Sequence, residues 1–214
     1  MDMGGDAAAD ELGEIMYEEP EVVPLFPKFL QQKEELSGAS RGTAYHRVME
    51  LLDFTKEYAG KKKTDMLEEL RKELQAFCET KKLSKEALLC IRKEDILGFL
   101  TCPSGKRMHE SALNGKLKKE QPFVLGVNAR ELYPDEEEGE LILVQGIIDA
   151  YFEEEDGLVV LDYKTDKVRK AEELVEKYHA QLDYYAKALE QMTGKKVKEK
   201  IIYSFTLEEE IVLD

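Results

Sequence analysis

Residues Val144–Asp166, VQGIIDAYFEEEDGLVVLDYKTD, decide how this chain folds. They contain two near-continuous apolar runs, Leu141–Asp149 (begun just upstream) and Leu158–Lys164, joined by the short acidic connection Glu153–Gly157. Runs of this kind are strands covered on both faces, and so short a link pairs them antiparallel. Each run carries a carboxylate at or near its end, Asp149 and Asp162, and Lys164 stands two residues after the second. Side chains alternate along a strand, so Asp162 and Lys164 share one face and Tyr163 takes the other. Pairing of the strands sets Asp149 beside Asp162. Two carboxylates and an ammonium at a sheet end suit a hard cation with a charge partner, the equipment of metal-assisted phosphate-ester hydrolysis. An Asp-x-Lys taken alone is more often a solvated strand end, and the acid that ends the preceding strand brings the two readings level.

Downstream, a helix is predicted from about Lys170 to Thr193, with Gly194 as its stop. Its apolar stripe is Leu174, Val175, Tyr178, Leu182, Tyr185, Ala186 and Leu189. Gln181 sits inside that stripe, one turn before Tyr185. A polar residue there needs a partner: either a nearby backbone group satisfies the amide, or this face packs over the sheet end near the metal site and touches phosphate or DNA. Strands follow at Lys200–Thr206 and Ile211–Leu213. Upstream of the central pair lies another strand, Glu120–Ala129, then Pro134 and an acidic turn at Asp135–Glu140. Glu120, in Glu-Gln-Pro-Phe, is either one more acid near the site or a solvated strand start.

Residues 40–113 read as all-helical. One helix runs from Ser40 or Thr43 to about Tyr58 and buries Tyr45, Val48, Met49 and Leu52, with His46, Glu50 and Asp53 along its flank. Thr64 and Ser84 are expected to cap the next two helices. A fourth spans Lys93–Leu100, and Pro103 ends it. His46 is either structural or a metal ligand brought to the aspartates by tertiary contact; His109 and His179 have no evident partner. Helices, then three meandering strands, a helix and a strand predict an α/β fold with a mixed sheet.

The formal charge of −15 over 214 residues argues at first against nucleic acid. Its distribution weakens that objection. Residues 1–36 hold ten acids and two bases, −8 of the total, and read as an acidic linker or tail with one short helix at Lys28–Leu36. Basic residues cluster at Lys61–Lys63, Lys116–Lys119 and Lys164–Lys170. Cys78, Cys90 and Cys102 are spaced too widely for a metal clip, and an odd count does not suit a disulfide framework. Unpaired cysteines, no apolar run near the roughly 20 residues of a membrane span, and no signal sequence predict a cytoplasmic protein.

Five short motifs occur in order: Gly-x-x-x-His (Gly42 to His46), Glu-x-Pro-Phe (Glu120 to Phe123), Gly-Ile-Ile-Asp (Gly146 to Asp149), Asp-Tyr-Lys-Thr-Asp (Asp162 to Asp166) and Gln-x-x-x-Tyr (Gln181 to Tyr185). In that order they closely resemble the RecB-like nuclease domain of the PD-(D/E)XK superfamily, most of all the C-terminal nuclease domain of AddA-type helicase–nuclease proteins. The resemblance covers about Ser40 to the C-terminus. It implies a restriction-endonuclease-like mixed central sheet flanked by helices, with a helical N-terminal half. The nuclease domain then occupies 37–214, helical over about 40–113 with its sheet core over about 116–214, behind the linker 1–36.

The resemblance also implies roles. His46, Asp149, Asp162 and the backbone carbonyl of Tyr163 surround Mg²⁺ or Mn²⁺; Lys164 is the catalytic lysine; Gln181 and Tyr185 complete the site, and Glu120 is a further active-site acid. The implied activity is metal-dependent exonucleolytic hydrolysis of DNA during recombinational repair of double-strand breaks. A helicase motor delivers a single-stranded end, an AddB-like protein is the partner, and the cell is bacterial. The sequence has no Gly-x-x-x-x-Gly-Lys-Ser/Thr motif, so ATP enters only through a helicase part outside this chain, which reads as an excised domain. Three cysteines do not supply the four of an iron–sulfur cluster. The rival reading is a catalytically inactive nuclease-like module that grips DNA or assembles subunits.

Overall fold

The computed structural model describes residues 36–58, 60–132 and 141–213. The acidic segment expected as a linker, its helix at Lys28–Leu36 apart from Leu36 itself, and the turn Asp135–Glu140 lie outside the described residues. In chain order the elements are α1 (Leu36–Leu51), α2 (Lys63–Glu79), α3 (Lys85–Leu89), α4 (Lys93–Thr101), α5 (Pro103–Leu113), β1 (Leu117–Asn128), α6 (Ala129–Leu132), β2 (Leu141–Glu154), β3 (Gly157–Lys164), α7 (Ala171–Thr193), β4 (Val197–Ser204) and β5 (Glu209–Leu213).

The five strands form one sheet in sequence order, β1-β2-β3-β4-β5. β3 and β4 run parallel, with α7 between them in sequence, and the other neighbours are antiparallel. This is the mixed sheet that the element order predicts. Alternation along β3 divides the core between two layers. Val159, Leu161 and Tyr163 join Tyr45, Met49, Leu70 and Phe99 of the helical half. Leu158 and Val160 join Tyr185, Ala188 and Leu189 of α7. Both faces of β3 are therefore covered, which is why its sequence is apolar without a polar alternation. Among the described residues, no helix is long and apolar enough to cross a membrane.

The β1–β2 hairpin changes layer along its length. Ala150 and Phe152 pack into the helical-side core, whereas Val144 and Ile148 pack toward α7. The change falls at Asp149. There the ladder has a gap: Lys119 pairs with Ala150 and Gln121 with Ile148, but Glu120 and Asp149 do not pair. Glu120 has a φ of +48°, a left-handed conformation costly to a residue with a Cβ.

Several helix boundaries depart from the sequence reading, and α1 starts at Leu36 rather than at Ser40 or Thr43. α1 ends at Leu51, not near Tyr58, because Asp53 turns the chain: its Oδ1 accepts from the Thr55 amide at 3.0 Å and from the Thr55 hydroxyl at 2.7 Å. Phe54 and Tyr58 still reach the core, from a loop. Thr64 does not cap α2; Lys62 precedes the helix without a side-chain cap, and the Thr64 hydroxyl turns to Asp65. Pro103 follows the end of α4 at Thr101 and also opens α5, at a position where its missing N–H costs nothing. Ser84 does cap α3, accepting from the Ala87 amide at 3.0 Å. Gly194, at φ +69°, closes α7 in the left-handed conformation. β4 starts and stops before the expected Lys200–Thr206 strand, at Val197 and Ser204.

Candidate active site

The β2–β3 register places Asp149 and Asp162 side by side just past the last bridged pair, Ala150 and Leu161. Where a ladder bond is missing, the Asp149 carboxylate substitutes: its Oδ2 accepts from the Tyr163 amide at 2.8 Å. Its other oxygen, Oδ1, lies 3.1 Å from Nδ1 of His46, which α1 carries across the strand ends. Donor atoms of His46, Glu120 and Asp149 all fall within 4.8 Å of one another. An open cleft of about 350 Å³, lined by Gly42, Thr43, His46, Arg47, Glu50 and Glu120, reaches this cluster from solvent. A larger groove of about 560 Å³ between α7 and β4 holds none of these donors, so size alone does not mark the site.

Asp162 is buried beside this cluster. Its Oδ2 is 2.6 Å from Nζ of Lys164 yet lacks a donor in hydrogen-bonding alignment. Lys164 is held from the α7 side. Its ammonium donates to Oε1 of Gln181 at 3.1 Å and stands 4.0 Å from the centre of the Tyr178 ring. Nε2 of Gln181 in turn donates to the Tyr185 hydroxyl at 2.7 Å, and the Tyr185 ring packs edge-on against Phe123. Gln181 thus bonds two side chains at the sheet end rather than a backbone group. Tyr163 offers its amide to Asp149 and its ring to the opposite core.

The titration behaviour follows from burial and mutual charge. Burial opposes a charge on His46, but the adjoining Asp149 carboxylate outweighs it and raises the imidazole to about 9. Asp149 is held below the usual carboxylate range: burial works against its charge, and His46, Lys164 and the Tyr163 amide overcome it. Burial, with Asp149 as a like charge, raises Glu120 to about 6. Burial raises Asp162 to about 6 as well, against the pull of Lys164. Lys164 is raised, because two carboxylates overcome the burial of its ammonium. Two carboxylates, Glu120 and Asp149, converge on the His46 imidazole, and one buried oxygen of the neighbouring Asp162 lacks an aligned donor. This donor set of carboxylate oxygens and an imidazole nitrogen fits a divalent cation.

The structure thus brings His46, Glu120 and Asp149 together and sets Asp162, Lys164, Gln181 and Tyr185 in a chain behind them. Sequence reasoning misses three residues around the site. Tyr178 reads only as stripe, although it lies one turn before Gln181. Arg41 donates to the Thr165 carbonyl at 3.2 Å and fixes the chain just after Lys164. Lys119, in the sequence only part of a basic cluster, reaches the end of α1 at Glu50.

The sequence model of the PD-(D/E)XK nuclease superfamily matches residues 22–211. A Thermoanaerobacter protein named as the A-type subunit of an ATP-dependent helicase/nuclease is 43% identical over 184 residues, 84% of this chain and 14% of that protein. Proteins of the same name are 37% identical in Clostridium novyi, over 86% of this chain and 15% of theirs, and 36% identical in Lachnoclostridium phytofermentans, over 89% and 16%. The chain therefore spans only about 14–16% of the length of these relatives. With its mixed five-stranded sheet flanked by helices, the chain belongs to the PD-(D/E)XK nuclease superfamily.

Proposed function

We propose that this domain is a Mg²⁺- or Mn²⁺-dependent deoxyribonuclease that hydrolyses phosphodiester bonds from a DNA end. The observation that carries the reading is the convergence of His46, Glu120 and Asp149 within 4.8 Å, beside the buried Asp162–Lys164 pair. His46, Asp149, Asp162 and the Tyr163 carbonyl would hold the ion. Bound there, a divalent cation would neutralise phosphate charge and lower the pKa of a water. The remaining work falls to this chain's own groups. Lys164, steadied by Gln181 and Tyr178, presents an N–H to the attacking water or to a phosphate oxygen, where negative charge grows. Glu120, titrating near 6, takes the proton that the water gives up as its oxygen bonds phosphorus and the ester oxygen departs. Tyr185 and Gln181 act through Lys164, by fixing where its ammonium points.

The resemblance to proteins named as ATP-dependent helicase/nucleases supports a setting: a single-stranded end delivered by a motor elsewhere in a longer polypeptide, beside an AddB-like partner, during double-strand-break repair in a bacterial cytoplasm. ATP would act through that motor. An iron–sulfur cluster is not part of the reading. The acidic chain should grip DNA weakly by itself, with a strong salt dependence.

The test is incubation of the chain with end-labelled single-stranded DNA and Mg²⁺ or Mn²⁺. Cutting that disappears in Asp162→Ala and in Lys164→Ala is the expected result. Cutting that survives both changes overturns the site. A wild-type chain that binds DNA but leaves it intact with either ion, both alone and assembled with its motor and partner, favours the binding-module reading.

A further inference from the structure

α1 carries His46 and ends where Asp53 turns the chain, with no glycine directly after Leu51 to close the last carbonyls. Carbonyls at a helix C-terminus have no partner within the helix and carry the negative end of its dipole. Here one side chain from another layer takes three of them. Nζ of Lys119, on β1, donates to the carbonyls of Glu50 and Leu52 at 2.6 Å each and of Met49 at 3.4 Å. The same ammonium lies 5.1 Å from the centre of the Phe54 ring, so the loop that leaves α1 encloses it. Lys116 and Lys118, from the same basic run, are less enclosed than these contacts make Lys119, which is half-buried. The run is therefore not a uniform solvated face. Lys119 also directly precedes Glu120, the residue at φ +48° opposite the gap in the β1–β2 ladder.

We propose that Lys119 is a positioning residue for the metal site: by binding the open carbonyls at the end of α1, it sets His46 against Glu120 and Asp149. This rests on the reading of that cluster as a divalent-cation site. Two donors of the cluster lie on β1 and β2, whose spacing the ladder fixes on both sides of the gap. The third, His46, rides on a separate helix, and its distance from the strands depends on what ties the helix down. Arg41 ties the N-terminal half to the Thr165 carbonyl. Lys119 ties the C-terminal end, about a turn from His46. Burial of the Lys119 ammonium depresses its pKa, opposed by Asp53 and Glu50, so the contact is kept at a desolvation cost that the helix end offsets. Were Lys119 only a stabilising cap, its loss would lower the melting temperature and leave cation affinity of the folded protein alone.

The experiment measures Mn²⁺ binding to the 214-residue chain by titration calorimetry without DNA, together with thermal denaturation of the same samples. Lys119→Met should weaken Mn²⁺ binding about tenfold or more, and Lys119→Arg, which keeps charge and donors, should recover most of that loss. In a His46→Ala background, Lys119→Met should cost little further affinity, because its effect passes through α1. Wild-type affinity in folded Lys119→Met overturns the proposal whatever the change in melting temperature, and so does an undiminished loss in the His46→Ala background. If the wild type binds no Mn²⁺, or His46→Ala and Asp149→Ala leave binding unchanged, the metal-site reading itself falls and takes the proposal with it. If Lys119→Met does not fold, Lys119→Gln, which retains one amide donor group, is judged by the same criteria.

Discussion

The two faces of β3 are equally buried and do opposite things. Tyr163 is 2% exposed and Asp162, its neighbour, 1%. On the Tyr163 side the strand meets a dry aromatic cluster: the Phe99 ring lies edge-on to Tyr163 at 5.2 Å and to Tyr203 at 4.8 Å, and Phe205 stacks at a tilt nearby. On the Asp162 side the strand passes from Leu158 and Val160 to a carboxylate and a lysine, still under cover of α7. Aromatic contacts and apolar burial stabilise one face. The other gives up stability to hold two buried carboxylates and a buried ammonium, which must be desolvated to pair. Burial alone therefore does not distinguish core from site; the chemistry of what is buried does.

The largest expected effect breaks the polar face alone. Lys164→Met, close to isosteric, should lower the DNA cleavage rate by about 10²–10³-fold at matched folded fraction, the scale of losing one well-placed transition-state donor. Single-turnover assays in saturating Mn²⁺ measure it. An unchanged rate would mean that the ammonium serves only to neutralise Asp162. On the apolar face, Phe99→Ala should cost about 3–5 kcal/mol in urea-induced unfolding, because the cavity it leaves is lined by rings that cannot collapse together. Cleavage per folded molecule should stay within about twofold, since mutations at separate sites act independently. If Phe99→Ala slows cleavage in protein that remains folded, the two faces are coupled through β3 and the contrast fails.

A smaller effect tests the support between them. Gln181→Ala leaves Lys164 without its amide acceptor and Tyr185 without its amide donor. A rate loss of about tenfold with little change in Mn²⁺ affinity is expected, as for partners that orient a working group. A drop in Mn²⁺ affinity as large as the rate loss would place Gln181 in ion binding instead.

Much of this division is legible in the sequence. The strand pair, its antiparallel turn and the neighbouring aspartates follow from apolar periodicity and a short connection, because alternation leaves little freedom once both faces are covered. The chain of Lys164, Gln181 and Tyr185 is signalled by a polar residue inside the apolar stripe of α7. Features set by the particular hydrogen bond of one side chain, near or far in sequence, are not legible. The end of α1 depends on Asp53 bonding Thr55, a local choice that competes with a helical pattern continuing to Tyr58. Lys119 looks like its neighbours in the basic run, because only tertiary structure distinguishes an ammonium at a helix end from one in water. The left-handed Glu120 has no glycine to announce it; the strain is held by the strands on either side.

The smallest effect concerns charge at the opposite end of the same strands, where it is partly solvated. Arg107 of α5 donates to both carboxylate oxygens of Glu154 on β2, at 2.8 and 3.0 Å, and to Glu199 on β4 at 2.6 Å. Lys198 adds a second cation at 2.6 Å from Glu154. These side chains are about a quarter exposed, so water screens the pairs and each contributes little. Arg107→Gln should cost about 1 kcal/mol at pH 7, since a bidentate pair exceeds the ordinary surface bridge only modestly. The hydrogen bond from Arg107 is the main influence holding Glu154 at about 2, below its ordinary value of 4.5. A carboxylate with a depressed folded pKa contributes stability that is complete above the unfolded value and fades as pH falls through the folded one. The melting-temperature gap between wild type and Arg107→Gln should therefore be constant above about pH 5 and shrink steadily from 4.5 toward 2. A gap that persists at pH 2 would assign Arg107's contribution to its packing over the Phe152 ring, 5.4 Å away, rather than to charge.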